Sequence, residues 1–299
     1  RDVAPSRGLG DVYKRQFEYS YDDMHSRQDR IFRVEARFYE NGELTDDWAS
    51  SSAGYATAMK QNMSAVEAYT RVGSQYYPEQ VVKYNELLYR ETGIGYAEAN
   101  FFDFFDFKLL KGNKESCLDG PNKVVITERI ARKYFKGADP IGKILIFRSN
   151  IGEEACEVTG IMEDMPINTH IRYNLLISYK TLPKWMDEYW YRHEVYSYVL
   201  LKSANLKTQV EEDFPVMAEK YKTEEALKNK TWAIQLTNLR DIHLNPQKAY
   251  EPEVKGNRSS IWVLICTALA ILCIAWINYI NMTVARSMAV SYTHLRAHE

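Results

Sequence analysis

The feature that most constrains this chain is a long run without charge near its carboxyl end. No charged residue occurs between Arg258 and Arg286, and from Ile261 to Ile277 the only polar residue is Thr267. As a helix, the 27 uncharged positions would extend about 40 Å, enough to cross a hydrocarbon core of about 30 Å. The run therefore predicts a transmembrane helix.

Aromatic residues near both ends of this run favour a spanning helix over its alternative, a buried core helix. Trp262 lies near one end, and Trp276 and Tyr279 lie near the other, as in interfacial aromatic belts. Core helices seldom extend this far without a charged residue. The basic residues that flank the run are too balanced for the positive-inside rule, so charge alone leaves the orientation open.

Both extreme ends of the chain read as translated adaptor rather than as native protein. The DNA string GATGTGTATAAGAGACAG encodes Asp11–Gln16, and its reverse complement, read from the third base, encodes Val290–His294. One inverted element accounts for both flanks, and it resembles the transposon end used to build sequencing libraries. We therefore assign residues 1–16 and 290–299 to adaptor, and we expect the native protein to extend beyond both ends of residues 17–289.

Charge and composition exclude several classes of protein. The chain has 38 Lys and Arg against 40 Asp and Glu, and 45% of its residues are hydrophobic. Without the five basic and three acidic residues of the flanks, 33 basic residues stand against 37 acidic ones. This balance offers no positive field for nucleic acid, so we expect no nucleic-acid partner. The composition suits a folded part with a sizeable core.

Residues 17–257 read as a water-soluble α+β domain. Apolar and polar residues alternate from Phe32 to Phe38, the period of a half-buried strand, and Asn41-Gly42 supplies a turn. By the same signals we predict a helix at Tyr55–Ser64, a hairpin at Val81–Arg90, further strands at Val66–Val72, Val124–Ile126, Lys143–Arg148 and Glu154–Met162, and a helix after Ile126.

The last part of this domain predicts a β-α-β unit. Its parts are a strand at Tyr196–Lys202, a helix at Leu206–Tyr221 and a strand at Trp232–Leu236. Pro215 should kink the helix or delay its start. Before this unit, apolar residues between Leu182 and Trp190 recur at helical spacing, which predicts an amphipathic helix.

No sequence motif in the chain indicates catalysis, nucleotide binding or metal binding. The segment Gly93–Gly95 lacks the third glycine of a phosphate-binding loop. His25, His170, His193 and His243 are isolated and lack metal-ligand spacing, so we interpret them as surface or hydrogen-bonded core residues. We expect no enzyme activity, no metal and no cofactor in this chain.

Two further clusters leave alternatives open. The five phenylalanines of Phe101–Phe107 could form an apolar ligand platform, but core packing around a short helix is favoured because a platform this apolar would otherwise be exposed. Cys117 and Cys156 lie in a domain that could meet an oxidising compartment. A disulfide between them is therefore possible, although spacing alone does not show that their backbones approach closely enough.

Seven parts of the chain, in order, carry a family resemblance. They are Tyr21–His25 with Asp29–Val34, Phe101–Phe105 with Leu109–Gly112, Val124–Thr127 with Ala131–Phe135, Asp139–Lys143, Val158–Pro166, Asp241–Leu244, and Ile277–Asn281 with Thr283–Ser287. Together they resemble the permease subunits of MacB/FtsX-like ABC transporters, especially those of Bacteroidetes-type bacteria.

The resemblance implies both a fold and an orientation. Residues 17–257 would form a two-lobed α+β extracytoplasmic core domain, with a porter-like lobe and an inserted lobe at about Ala97–Tyr179. One transmembrane helix, within residues 258–289, would follow and return to the cytoplasm through the bacterial inner membrane. A first transmembrane helix would precede Phe17, and the core domain would lie in the periplasm.

The same resemblance implies a function and partners. The chain would be a non-catalytic permease part that works with a separate ABC ATPase subunit, which binds the ATP, and with a second permease copy, identical or related. Membrane lipid and a periplasmic or outer-membrane protein are further partners. The roles open to it are efflux, lipoprotein or peptide handling, and regulation of cell-wall hydrolases. A single-pass sensor with an extracytoplasmic ligand-binding domain is the alternative, and a membrane-tethered hydrolase is a third class.

Asn278 and Asn281 are the candidate functional residues of the spanning helix. They are three positions apart, so they point to nearly the same side. An amide that faces lipid without a partner is costly, and we therefore predict that this side packs against other helices of the permease. The alternative places both amides at headgroup depth, in contact with water.

Overall fold

A computed structural model describes residues 16–73, 79–149, 152–193, 195–222, 227–245, 248–252 and 258–296. The chain divides into two units. One is Ser20–Lys255, which we call the core domain, and the other combines Arg1–Tyr19 with Gly256–Glu299. Most of the residues assigned to adaptor, 1–15 and 297–299, lie outside the described residues.

Strands dominate the core domain, as the sequence predicts. The described strands are β1 (Ile31–Glu40), β2 (Glu43–Trp48), β3 (Val66–Gly73), β4 (Glu79–Tyr84), β5 (Leu87–Thr92), β6 (Ile94–Ala97), β7 (Leu109–Lys111), β8 (Lys123–Thr127), β9 (Ile144–Ser149), β10 (Gly152–Met162), β11 (Leu175–Ser178), β12 (Val195–Leu201) and β13 (Lys230–Asn238). Their hydrogen bonds link them in the order β13-β1-β12-β3-β6-β11-β8-β10-β9-β4-β5, with β2 on β1 and β7 on β10. The pairs β8–β10 and β6–β11 are parallel.

The helices are fewer than the strands and mostly short. They are α1 (Gly54–Asn62), α2 (Phe101–Phe104), α3 (Glu128–Phe135), α4 (Lys207–Ala218) and α5 (Arg258–Arg296). Helix α3 shows why such a short helix ends where it does. The Thr127 hydroxyl accepts a hydrogen bond from the Ile130 amide at its start, and Lys136 adopts a left-handed conformation at its end, so both ends are capped.

The position of strand β1 is predicted correctly, but the prediction that the strand is half-buried is wrong. It pairs with β13 along one edge, and with β12 and then β2 along the other. All six residues of Ile31–Ala36 are buried, including the charged Arg33 and Glu35. The polar side is not solvated because Lys248 and Glu251 cover it and pair with its charges.

The predicted β-α-β unit is confirmed, with one strand inserted. Strands β12 and β13 are both antiparallel to β1, which lies between them, so they are parallel to each other. Helix α4 connects them. The predicted effect of Pro215 on the start of the helix is wrong, because α4 begins at Lys207 and continues three residues past the proline to Ala218.

The predicted amphipathic helix at Leu182–Trp190 is wrong. The segment forms only a short 3-10 helix at Lys184–Glu188. Trp190 is buried against other core aromatics, whereas Trp185 and Tyr189 remain 48% and 36% exposed. The apolar residues therefore share no face, because one tertiary contact at Trp190 outweighs the local helical period.

The phenylalanine-rich segment is core, as the favoured interpretation predicts. All five phenylalanines of Phe101–Phe107 are buried. Their rings pack on one another and on Tyr198 of β12, with ring centroids about 5–6 Å apart. The segment joins helix α2 to the central strands.

The two-lobe division stays a prediction. The residues near its two boundaries lie on neighbouring strands, because Ala97 at the end of β6 is the register partner of Ser178 at the end of β11. A segment inserted between these positions would leave and return at adjacent points of the sheet.

Helix α5 contains the predicted membrane span. The stretch Ile265–Val284 is long and apolar enough to cross a bilayer, and the side chains at positions 266–284 are exposed. The helix continues to Arg296, so it includes residues that we assign to adaptor. That assignment stays a prediction.

We expect the α4 face toward the sheet to contribute strongly to stability. Phe214 is fully buried and its ring lies 5.0 Å from that of Tyr55. Replacing Phe214 with Ala should lower the free energy of unfolding by about 3–5 kcal/mol, because it removes buried apolar surface and leaves a cavity. Denaturant unfolding followed by tryptophan fluorescence measures this, since Trp190 and Trp232 belong to the same cluster.

The matched control lies on the same helix. Val216 is 76% exposed, so Val216→Ala should change the free energy of unfolding by less than about 0.5 kcal/mol. Equal midpoints for the Phe214 and Val216 variants would contradict the described packing of α4.

Candidate functional site

The residues near the two ends of the core domain are held by two buried polar clusters. The first, which we call the amino-terminal anchor, consists of Asp22, Thr169, His170 and Tyr198. Asp22 has a positive φ of 59°, a conformation that Asp tolerates better than most residues. Its backbone N–H donates to the Asn168 carbonyl at 3.0 Å. This backbone geometry places the Asp22 carboxylate in the interior.

The amino-terminal anchor is a chain of hydrogen bonds. Nδ1 of His170 lies 2.7 Å from Oδ2 of Asp22, and Nε2 of the same ring lies 2.9 Å from the Tyr198 hydroxyl. The Thr169 hydroxyl and the His170 amide donate to the other carboxylate oxygen of Asp22. The imidazole of His170 thus bridges the Asp22 carboxylate and the Tyr198 hydroxyl, and its tautomer decides which ring nitrogen donates.

Burial and charge fix the protonation of this anchor. Burial alone would raise the pKa of Asp22, but attraction to His170 and hydrogen bonds from His170 and Thr169 outweigh it and hold the pKa below its ordinary value. Burial raises the pKa of Tyr198 well above its ordinary value. The phenol therefore stays protonated.

The order carboxylate, imidazole, hydroxyl matches that of hydrolase triads, but this site differs from them in two ways. Tyr198 is 3% exposed, and its raised pKa disfavours the ionised form that a nucleophile needs. Two clefts of the core domain, of about 350 and 320 Å³, share no residue with the anchor. We assign the amino-terminal anchor a structural role.

His25 extends this end of the domain into the phenylalanine cluster. It is fully buried, its Nδ1 accepts a hydrogen bond from the Asp106 amide at 3.1 Å, and its ring lies 5.0 Å from that of Phe107. Burial, with a smaller contribution from His170, lowers the pKa of His25 to about 4 against the attraction of Asp22 and Asp106. His25 is therefore neutral at pH 7.

Contacts between residues 20–30 and 239–243 add to this end. The rings of Tyr21 and His243 stack with centroids 3.4 Å apart. Arg240 lies 3.2 Å from a carboxylate oxygen of Asp23 and 3.2 Å from one of Asp29. These ion pairs are exposed, so each contributes little by itself.

The second cluster, the carboxyl-terminal anchor, consists of Arg33, Glu35, Lys248 and Glu251. The Arg33 guanidinium donates to both carboxylate oxygens of Glu251, at 2.7 and 3.1 Å, and from Nε to Glu35 at 3.0 Å. Lys248 Nζ lies 2.9 Å from the second oxygen of Glu35. The side chains of Arg33, Glu35 and Glu251 are at most 2% exposed, and that of Lys248 is 9% exposed.

The carboxyl-terminal anchor balances two positive charges with two negative ones. Burial alone would raise the pKa of Glu35, but Arg33 and Lys248 outweigh it and hold the pKa below its ordinary value. Burial alone would lower the pKa of Arg33, but Glu35 and Glu251 keep it raised. Arg33 and Glu35 are therefore charged at pH 7, and each depends on its partners for compensation.

The backbone around Glu251 is fastened as well. Ala249 forms an isolated bridge with Trp48 at the end of β2, and the Ala49 amide donates to the Ala249 carbonyl at 2.9 Å. Tyr250 stacks on His193 with ring centroids 3.6 Å apart, and its carbonyl accepts from the Tyr196 hydroxyl at 2.8 Å. Glu251 is thus held through main chain and side chains, only seven positions before Arg258, where α5 begins.

The two anchors meet in the sheet. Arg33 of β1 and Tyr198 of β12 are register partners across an antiparallel pair. Directly opposed residues of such a pair point to the same face, with Cβ atoms about 4.5–5.5 Å apart. Arg33 and Tyr198 also interact electrostatically.

The sequence-predicted site residues lie elsewhere. Asn278 and Asn281 are exposed on α5, and their packing role stays a prediction. Cys117 and Cys156 are buried free thiols, and burial raises the pKa of Cys117 to about 11 and that of Cys156 to about 12. Within the described ranges, no group of His, Cys, Asp or Glu is arranged to hold a metal ion.

Sequence reasoning missed both anchors because their partners are distant in the chain. Asp22 and His170 are 148 positions apart, and Arg33 and Glu251 are 218 apart. A signal did exist for the second anchor, since Arg33 and Glu35 are opposite charges two positions apart on one side of β1. Such a pair fits a buried ionic cluster as well as a solvated face.

Fold and site together define a class of protein: a sheet-dominated α+β domain with anchored ends, followed in the chain by an apolar helix long enough to span a membrane. The family model of the MacB-like periplasmic core domain matches residues 8–215. The chain therefore belongs to the MacB-like periplasmic core domain family, the extracytoplasmic part of ABC-type permeases.

One solved structure agrees with the family at the level of the fold. A domain of a protein described as a permease, from Porphyromonas gingivalis, is 23% identical with a TM-score of 0.63 and covers 77% of this chain and 96% of its own. The extracellular domain of the noncanonic ABC-type transporter YknZ from Gram-positive bacteria is 16% identical, with a TM-score of 0.47 and coverages of 69% and 100%.

A third similar structure is the periplasmic region of MacB from Actinobacillus actinomycetemcomitans. It is 15% identical with a TM-score of 0.43, and the match covers 67% of this chain and 87% of that one. A comparison with curated proteins finds no match.

We expect acid to destabilise the core domain through His25. Its pKa is about 4 in the folded state and about 6.5 in the unfolded state, so the unfolded state binds more protons between these values. Stability is complete above about pH 6.5 and falls as the pH drops through this window, by about 2 kcal/mol at pH 5. The measurement is the free energy of unfolding at pH 7.5 and pH 5.

The variant His25→Gln is the matched comparison, because it cannot titrate and its amide oxygen can still accept a hydrogen bond. It should be less stable than the wild type at pH 7.5 but should lose about 2 kcal/mol less on going to pH 5. Asp22 does not contribute in this window, since its pKa is held below 3.8. An equal loss in both proteins would show that His25 is not the group that titrates.

Proposed function

We propose that this chain is the permease part of an ABC transporter of the MacB/FtsX type, which couples cytoplasmic ATP hydrolysis to motion of the periplasmic core domain. The observation that carries the proposal is the family match over residues 8–215 in a chain that continues into the candidate span Ile265–Val284. In this proposal residues 17–257 lie in the periplasm and α5 crosses the bacterial inner membrane.

The proposed partners are those that the MacB/FtsX resemblance implies, and the family match supports them in kind. A separate ABC ATPase subunit would bind and hydrolyse ATP, and a second permease copy, identical or related, would complete the transporter. Membrane lipid surrounds the helices, and a periplasmic or outer-membrane protein receives the motion. The proposed tasks are efflux, lipoprotein or peptide handling, and control of cell-wall hydrolases.

The carboxyl-terminal anchor gives this proposal a physical basis. Motion of a helix reaches the domain beside it in sequence only if the segment that joins them stays fixed to the domain. Glu251 lies seven positions before the start of α5 in sequence and is fastened to β1 by a buried bidentate ion pair. Breaking such a pair by removing one partner costs about 3–5 kcal/mol, so this attachment resists displacement.

Nucleotide-dependent motion tests the proposed function. The full-length permease and its ATPase are assembled in lipid nanodiscs with a spin label at Val216→Cys, a position 76% exposed. Cys266 and Cys273 are replaced by Ala, whereas the buried Cys117 and Cys156 remain because their raised pKa makes them unreactive.

The label-to-label distance between two permease copies should change when ATP is added to a hydrolysis-deficient ATPase. It should not change with an ATPase that cannot bind ATP. An unchanged distance in the first case, with ATP binding demonstrated, would contradict coupling.

The same assay tests Asn278 and Asn281. Replacing both with Leu should preserve membrane insertion but reduce the nucleotide-dependent distance change. Each interhelical hydrogen bond contributes about 0.6–2 kcal/mol, so the loss of both weakens helix packing by roughly ten-fold or more.

Thr283→Leu is the matched control for this double variant. At 100° per residue Thr283 lies on the opposite side of α5, and its hydroxyl already donates to the Tyr279 carbonyl of the same helix. If the asparagine double variant behaves like this control, the two amides only contact interfacial water.

A further inference from the structure

The two anchors meet at one pair of neighbouring strands in the sheet. One anchor holds residues near the amino end of the core domain, and the other holds residues near its carboxyl end. Hydrogen bonds join Asp22 to His170 and His170 to Tyr198, while an ion pair joins Arg33 to Glu251. Tyr198 and Arg33 are register partners. We propose that these five residues form one buried linkage, so that the segments at residues 20–25 and 248–252 are held, and released, together.

The first step of the argument concerns Arg33. Within the part of the chain that the structure describes, its guanidinium donates hydrogen bonds to two carboxylates, those of Glu35 and Glu251. If the segment at 248–252 withdraws, Glu251 leaves and a fully buried cation keeps a single anionic partner. A buried charge does not tolerate the loss of compensation, so the guanidinium must shift toward its remaining partner.

The second step concerns Tyr198, which lies directly across from Arg33. Its ring is packed against Phe105 with centroids 5.2 Å apart, and its hydroxyl is held by His170 at 2.9 Å. Protein interiors are packed too densely for one of two facing side chains to move alone. A shift of the guanidinium therefore displaces the phenol and disturbs its bond to His170.

The third step leads from His170 to the amino-terminal segment. The ring of His170 holds the Asp22 carboxylate at 2.7 Å, and this carboxylate is 0% exposed, so water cannot replace a lost donor. Asp22 also fixes its own segment, through its N–H bond to Asn168. Weakening the His170 contact therefore loosens residues 20–25.

The linkage makes Tyr198 a positioning residue. A role of the linkage in transport rests on the proposed function. In that function both end segments continue toward the membrane and would move the domain as one body. Its existence does not rest on that function, because the linkage belongs to the core domain alone.

Hydrogen exchange of backbone amides in the full chain, in detergent, tests the linkage. Glu251→Gln keeps the shape of the side chain and removes its charge. It should speed exchange at least about five-fold at the Ala249 amide, which donates to Asp47, and also at the Asp22 amide, which donates to Asn168. Amides of the β4–β5 hairpin should be unchanged.

Three variants sharpen the measurement. Glu153→Gln removes the same charge from an exposed pair with Arg148, 2.7 Å apart, and should change neither segment. Tyr198→Phe removes only the hydroxyl of the middle residue and should speed exchange at both ends. In the Tyr198→Phe background, Glu251→Gln should no longer affect the Asp22 amide.

A double-mutant cycle between Asp22→Asn and Glu251→Gln gives an independent readout. The pair should be less destabilised than the sum of the single changes, by at least about two-fold in the unfolding equilibrium constant. Additive effects would overturn the linkage. So would exchange that rises only near each substitution, or that rises equally throughout the domain.

Failure of this inference and failure of the proposed function are distinguishable. The exchange experiments contain no ATPase and no nucleotide, so additive anchors would leave the transport proposal intact. Conversely, a coupled pair of anchors in a permease that shows no nucleotide-dependent motion would contradict only the proposed function.

Discussion

The bidentate ion pair between Arg33 and Glu251 is the interaction on which the arrangement of the core domain's ends depends. It lies on β1, the strand that pairs with β2, β12 and β13, and it closes the segment that precedes α5 in sequence. Buried ion pairs contribute little net stability compared with an apolar core. This pair fixes the position of Glu251 relative to β1, because two parallel N–H···O bonds set both the distance and the angle between the two side chains.

The strands of the core domain could be predicted from the sequence because their signals are local. Alternation located β1, turn signals located the β4–β5 hairpin, and a buried run followed by an apolar helical face located β8 and α3. The same local signals gave a wrong prediction at Leu182–Trp190. The segment has a helical period, but of its aromatic residues only Trp190 is buried in the core. A helical period shows that a segment could form an apolar helix face. Whether the helix forms depends on whether the rest of the domain offers a surface for that face to pack against.

The anchors could not be predicted, for a different reason. Arg33 and Glu35 were assigned to a solvated face because charged side chains are seldom fully buried. Their burial depends on Lys248 and Glu251, which are more than 200 positions further along the chain. Nothing in the sequence of β1 alone indicates that Lys248 and Glu251 will pair with it. The same holds for Asp22 and its partner His170. The candidate pair Asn278 and Asn281 was found because its signal, two amides in an apolar run, is local.

The separation of 218 positions between Arg33 and Glu251 also constrains the order in which the domain is made. A chain that crosses a membrane from its amino end delivers β1 early and Glu251 almost last. Until then Arg33 has no bidentate partner, and β1 has not yet acquired β12 or β13, its neighbours in the sheet. Contacts of such high sequence separation form slowly and leave strand edges exposed meanwhile. In the proposed topology the domain therefore completes its fold only when nearly all of it has been exported, and the edges of its early strands stay unpaired during that transit.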